Sequence, residues 1–312
     1  MSLPGRVDIV EVGLRDGLQS EPEFVPTETK AAILNELIAA GVRHIEATSF
    51  VSPRAVPQMS DAVALLEQVN KPEGVVLSAL APNQRGVERA LSSRADEVVV
   101  FLSATESHNQ KNLNRPVEQS LRDIEEVAAL LQGHAIGRKG AIAVAFGCPF
   151  EGDVEIARLK AIVAHFARLD FDSVTLGDTT GMATPRLVRR TVDALRAEFP
   201  EMKFSLHFHN TRGLGLVNVV EGLHAGITCF ESSLGGLGGC PFAPGATGNV
   251  CTEDLVNLLH EMGIETGIDL PALIQVARRF EDVMKRSLPG QVMKAGPRLA
   301  LHDYAGAVAA VG

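Results

Sequence analysis

Eight times between residues 6 and 234, a short run of apolar and β-branched residues gives way to a longer segment of helical period. The runs are RVDIVEVG (6–13), VRHIEAT (42–48), VVLSALA (75–81), EVVVFLSA (97–104), AIAVAFG (141–147), SVTLGDT (173–179), KFSLHFH (203–209) and ITCFESSL (227–234). Strands that alternate with helices lie parallel, because each helix carries the chain back to the same edge. Between the runs, KAAILNELIAAG (30–41) repeats its apolar positions at helical spacing and stops at Gly41. Thr184 before Pro185 reads as a cap residue ahead of a proline at the first helical position. Eight such units in about 260 residues predict a closed TIM (β/α)8 barrel, since an open doubly wound sheet has fewer strands.

From about residue 266, GIDLPALIQVARRFEDVMKRSLPG reads as a further helix and a short extension, so residues 1–312 are expected to form one catalytic barrel domain with a C-terminal helical extension. Hydrophobic residues at 46% are enough for a large core. The absence of tryptophan, a single tyrosine and a net charge of −9 argue against nucleic acid as a partner, because polyanion binding needs clustered Lys and Arg. No apolar run reaches the roughly 18 residues of a membrane span, and the N-terminus enters a strand-like segment at once; a cytoplasmic protein that does not engage membranes is expected. Cys148, Cys229, Cys240 and Cys251 form no CxxC pair, so free thiols are expected.

In such a barrel the chemistry sits at the C-terminal ends of the strands. Polar residues there are Arg15 and Asp16 in GLRDGLQ, Glu46, Asp178 in LGDT, His207 and His209 in LHFHN, and Cys240 and Asn249 in the loop after the eighth strand. The two histidines are spaced i, i+2, which puts both imidazoles on one face of a strand. An isolated HxH is as often a hydrogen-bonded pair as a ligand pair. With Asp16 and Asn249 as oxygen donors, however, the set suits Mg2+ or Mn2+ better than a closed zinc site. Arg15 is placed to hold a developing oxyanion, and Glu46 and Asp178 to orient Arg15 or a ligand histidine. Cys240, in the glycine-rich stretch GGLGGCPFAPGATGNV (235–250), is a candidate proton donor on a loop free to close.

Together EVGLRDGLQSE, IEATSFVSPRAVPQMSD, GCPFEG, LGDTTG, HFHNTRG and GGLGGCPFAPGATGNVCTEDL resemble the 3-hydroxy-3-methylglutaryl-CoA lyase family, from about residue 6 to residue 270. The resemblance implies a divalent metal held by Asp16, His207, His209 and Asn249. It implies catalytic roles for Arg15, Asp16, Glu46, His207 and Cys240, an acyl-CoA substrate, leucine degradation and a homodimer. Retro-Claisen cleavage to acetyl-CoA and acetoacetate is then the expected reaction. The alternatives are cleavage of a related thioester such as citramalyl-CoA, and condensation by a synthase of the same superfamily.

The departures from the family's pattern touch neither the expected ligands nor Arg15 and bear on the acyl group. Asn210 and Arg212 stand where Asp and Tyr are usual, and Leu14 where Pro is. Ala141 replaces a tyrosine of the fifth strand, and Thr175 replaces a serine before LGD. Ala141, Thr175, Asp178 and Arg212 are therefore the candidate substrate-pocket residues. A lost phenol beside a gained arginine points to a differently charged acyl branch, such as the second carboxylate of citramalyl-CoA.

Overall fold

The computed structural model describes residues 3–239 and 248–301. Eight parallel strands close into a barrel in chain order: β1 (Asp8–Glu11), β2 (His44–Ser49), β3 (Val76–Leu80), β4 (Glu97–Ser103), β5 (Gly137–Ala143), β6 (Ser173–Asp178), β7 (Lys203–Phe208) and β8 (Cys229–Ser232). The helices between them are α1 (Thr27–Ala39), α2 (Ala62–Gln68), α3 (Gln84–Leu91), α4 (Glu106–Leu113), α5 (Val117–Leu131), α6 (Ile156–Arg168), α7 (Pro185–Glu198) and α8 (Gly215–His224). After β8 follow α9 (Thr252–Glu261), α10 (Leu270–Met284) and α11 (Val292–Ala295). The TIM barrel expected from the alternation is the fold. Thr184 caps α7 through a 3.3 Å bond from the Leu187 amide to its hydroxyl, as its place before Pro185 implies.

Side chains alternate across each strand, and the two faces differ in chemistry. Ile45, Leu77, Val98, Val100, Ile142, Val174, Leu176, Leu206 and Phe230 point out and join the apolar layer under the helices. Burial of each such side chain contributes about 1.5–3 kcal/mol. Gly140 also faces out: a Cβ there would lie 2.7 Å from the Phe166 ring, so its absence lets α6 sit close on β5. The alternate positions face the lumen and are largely polar. Val99 registers with Lys139, Lys139 with Ser173, Ala141 with Thr175, Thr175 with Ser205, and His207 with Glu231.

One strand differs from the sequence reading. β5 is Gly137–Ala143, four residues ahead of the apolar run 141–147. The run fails as a strand because Val144 turns to φ 53°, a conformation that β-branched residues rarely adopt. The true strand was hidden by the charges of RK, of which Lys139 is buried in the lumen.

Candidate active site

At the C-terminal end of β1 the backbone winds into a π-helical turn, Gly13–Gly17. The Val12 carbonyl accepts from the amides of Arg15, Asp16 and Gly17 at 3.1, 2.7 and 3.2 Å. Such turns are rare and occur often at functional sites. Glu11 fastens this one to the other end of the chain: its Oε1 accepts from the Gly13 and Leu234 amides at 2.7 and 2.8 Å, and its Oε2 from the Thr252 hydroxyl at 2.5 Å. Burial pushes the Glu11 carboxyl up to about 7 despite those bonds. The sequence reading passed over Glu11, because an acid inside a strand looks the same whether it faces water or a buried joint.

The turn presents Arg15 and Asp16 together. Arg15 is 9% exposed; its Nε donates to Glu46 and its Nη1 to Asp16 Oδ1 at 2.8 Å. Burial opposes the guanidinium's charge, but Glu46 and Asp16 outweigh it and hold the group protonated. Burial likewise opposes the Asp16 carboxylate, yet Arg15, His207, His209 and the Asn249 amide bring it down to about 2. Asp16 is therefore ionised at any physiological pH.

Asp16, His207 and His209 each offer a ligand atom within 4.8 Å of the others. The imidazoles lie side by side with ring centroids 5.2 Å apart, as their i, i+2 spacing requires. Burial first, then the neighbouring His207, lowers His209 to about 4, which leaves it neutral and ready to ligate. Asn249 arrives from after β8 by a bridge to His209 and donates its amide to Asp16 Oδ2 at 2.8 Å. Its Oδ1 and the Nδ1 of His209 are buried without a hydrogen-bond partner. Orphaned polar atoms beside an ionised carboxylate and a neutral imidazole fit a divalent cation, and these four side chains could hold one.

Under this cluster lies a second one that the sequence reading did not find. Glu231 Oε2 meets His207 Nδ1 at 3.0 Å, and its Oε1 meets Lys139 Nζ at 2.7 Å and accepts from Thr175 Oγ1 at 2.7 Å. Burial works against the Glu231 carboxylate, but Lys139 and His207 hold it well below the usual range. Thr175 also bonds Ser205 at 2.7 Å, so its hydroxyl is engaged beneath the site.

The remaining candidates fall differently. Asp178 ends β6, and its Oδ1 accepts from the amides of Met182 and Ala183 at 2.7 and 2.9 Å. Its Oδ2 is buried without a partner, and burial pushes the carboxyl up to about 7. Ala141 faces the lumen and is half-buried, which leaves space beside it. Arg212 is exposed and spends Nη1 on the carbonyls of Thr180 and Gly181 at 3.0 and 2.7 Å. Two backbone carbonyls thus hold its Nη1, while its charge still acts on the Asp178 carboxyl. Cys240 lies outside the described residues. The neighbouring glycines that are described are specified by geometry: Gly235, Gly236, Gly238 and Gly248 take φ of 64°, 71°, 111° and 102°, and a Cβ on Gly238 would lie 2.6 Å from Asn249 Nδ2.

Comparison with known proteins accords with this geometry. The profile of the HMGL-like family matches residues 6–279. A hydroxymethylglutaryl-CoA lyase of Bacillus subtilis is 42% identical over 291 residues, covering 93% of this chain and 97% of the relative. A 3-hydroxy-3-isohexenylglutaryl-CoA/hydroxy-methylglutaryl-CoA lyase of Pseudomonas aeruginosa is 39% identical over 295 residues, covering 95% and 98%. Among solved structures, an HMG-CoA lyase from Acinetobacter baumannii in complex with coenzyme A and 3-methylmalate superposes with a TM-score of 0.92 at 42% identity, covering 97% of this chain and 99% of that one.

Proposed function

The chain belongs to the HMGL-like family, and on that premise we propose that it is a carbon–carbon lyase that cleaves 3-hydroxy-3-methylglutaryl-CoA to acetyl-CoA and acetoacetate. The observation that carries the reading is the convergence of Asp16, His207 and His209, with Arg15 on Asp16 at 2.8 Å, at one mouth of the barrel. A divalent cation, Mg2+ or Mn2+, would be held by Asp16, His207, His209 and Asn249 and, when bound, would polarise the substrate's 3-hydroxyl.

Cleavage removes the hydroxyl proton, breaks the adjacent carbon–carbon bond to leave a ketone, and places charge on the thioester oxygen of the departing enolate. Arg15, oriented by Glu46 and Asp16, supplies a preorganised cation to that oxygen. The hydroxyl proton passes to Asp16, whose Oδ1 keeps a lone pair beside its bond from Arg15, whereas His207 would spend its Nε2 lone pair on the cation. Cys240 returns a proton to the enolate carbon, the role the family resemblance gives it. Ala141 and Asp178 border the acyl group. The arginine that pointed to a second acyl carboxylate already spends Nη1 on backbone carbonyls, which with the relatives' names favours hydroxymethylglutaryl-CoA as the substrate.

Among the described residues no helix is long and apolar enough to cross a membrane. A cytoplasmic homodimer serving leucine degradation completes the proposal, and cell fractionation and light scattering address its location and assembly. The deciding assay incubates the purified chain with hydroxymethylglutaryl-CoA and Mg2+. Equal amounts of acetyl-CoA and acetoacetate are expected, with loss of both under EDTA and recovery on adding Mg2+ or Mn2+. No acetyl-CoA under any of these conditions would sink the reading.

A further inference from the structure

We propose that Glu231, with Lys139 behind it, is the positioning pair that sets the tautomer of His207 and so aims its Nε2 at the cation site. The inference rests on the metal reading above and adds to it two residues that the family resemblance did not supply.

The geometry assigns the two ring nitrogens to different tasks. Nδ1 lies 3.0 Å from Glu231 Oε2, while Nε2 lies 3.9 Å from Asp16 Oδ2, on the side of the ligand cluster. A carboxylate can only accept, so Nδ1 must carry the proton and Nε2 keeps its lone pair for a cation. Ligating histidines commonly use such a carboxylate to fix ring orientation and raise basicity. Here the carboxylate is itself held in place. Lys139 stands on β5, and Glu231 on β8, with β6 and β7 between them in the barrel wall. The ammonium therefore reaches across the lumen to meet Oε1 at 2.7 Å, with both side chains nearly buried at 3% and 6% exposure. Thr175 donates to the same oxygen at 2.7 Å, and Ser205 bonds Thr175 at 2.7 Å. Oε1 is thus committed to Lys139 and Thr175, which leaves Oε2 for the imidazole.

Lys139 makes the arrangement testable, because it dictates how a glutamine at position 231 would sit. In Glu231→Gln the amide oxygen would turn to the ammonium and the hydroxyl of Thr175, since the alternative sets two donor groups against each other. The NH2 would then face His207 Nδ1 and force it to accept. The proton would move to Nε2, the atom that faces the ligands. Removing the ammonium as well, in Lys139→Met/Glu231→Gln, frees the amide to flip and to offer its oxygen to Nδ1–H again.

The test has two readouts that do not depend on turnover. In the metal-free protein, with the imidazole neutral, long-range 1H–15N correlation spectra report which nitrogen of His207 is protonated. Mn2+ binding followed by electron paramagnetic resonance gives the affinity. The expected results are Nδ1–H in the unaltered chain, Nε2–H in E231Q with Mn2+ affinity weaker by about 10–100-fold, and return toward both original values in K139M/E231Q. Thermal unfolding of each variant separates these effects from loss of fold. Nε2–H in the unaltered chain overturns the proposal, and so does an E231Q that folds and keeps both tautomer and affinity. Failure of the unaltered chain to bind Mn2+ would overturn the metal reading instead, while the tautomer spectra still decide whether Glu231 sets the ring.

Discussion

The side-chain amide of Asn249 donates to the Asp16 carboxylate at 2.8 Å, joining two residues 233 positions apart. The same Nδ2 donates to the Leu237 carbonyl at 3.0 Å, and Gly238 leaves room for it only because it lacks a Cβ. With Nδ2 committed twice, the amide cannot turn over, and Oδ1 remains buried without a protein partner. One side chain thus orients a carboxylate and presents an oxygen beside it.

Replacing Asn249 by Ala removes both functions. Mn2+ affinity and turnover are expected to fall together by about 10–100-fold, with a change in thermal midpoint of only a few degrees, because the side chain packs against polar groups. Asn249→Asp is the informative companion: it keeps an oxygen but sets a second carboxylate against Asp16, so its Mn2+ affinity should fall as pH is lowered and the pair takes up a proton. Unchanged Mn2+ affinity in Asn249→Ala would remove this residue from the metal site.

Arg15 faces a different test. Its guanidinium is fixed by Glu46 and Asp16, and the proposed role is offered only to charge that develops during cleavage. Arg15→Ala should therefore lower kcat by about 10²–10³-fold while substrate binding, measured by calorimetry under EDTA, changes little. Glu46→Gln should lose less, and mainly in kcat, since the arginine would remain but swing. A rise in KM alone in Arg15→Ala would show that the group binds the ground state.

Much of the cluster was legible because its residues lie at strand ends in short motifs: RD after β1, HxH across the end of β7 and Asn249 after Gly248. Local spacing sufficed there, since Asp16 follows Arg15 directly and the two histidines share a strand face. Lys139 and Glu231 were not legible. Apolar periodicity marks the outward face of a barrel strand, and a lysine turned inward breaks the pattern; this is also why β5 was placed four residues late. Nothing local announces that Glu231 on β8 waits across the lumen for that lysine. Nor did the place of Arg212 beside the histidines say anything of the carbonyls of Thr180 and Gly181 that hold its Nη1.

Ala141 offers a steric prediction. It points into the lumen, is half-buried, and registers with Thr175, whose hydroxyl reaches Glu231 under His207. A tyrosine there would fill the space beside the site. Ala141→Tyr is expected to retain cleavage of hydroxymethylglutaryl-CoA while a thioester with a longer 3-alkyl branch loses at least about tenfold in kcat/KM, since misfitting methylenes cost about 1–3 kcal/mol each. Equal effects on both thioesters would place Ala141 away from the branch.

The acid groups that brace the site predict an unusual pH profile of stability. Glu11 and Glu253, the latter on α9 with its Oε2 accepting from the Gly235 amide at 3.1 Å, are both raised by burial from 4.5 to about 7. Between those values the folded protein keeps protons that the unfolded chain has already released. Their contribution is therefore full below about pH 4.5 and is lost as pH rises through 7. Asp16 runs the other way, from 3.8 down to about 2, so its contribution is present above pH 3.8 and lost as pH falls through 2. Urea unfolding of the metal-free protein should accordingly show a decline of on the order of 3 kcal/mol from each raised glutamate between pH 4.5 and pH 8, opposed below pH 6.5 by His209, which takes up a proton only on unfolding. Glu11→Gln, which keeps an oxygen for the Gly13 and Leu234 amides, should flatten that decline and lie closest to the unaltered chain near pH 5. An identical slope in the two proteins would mean that Glu11 does not take up its proton in this range and is buried as the anion, held by the three donors around it.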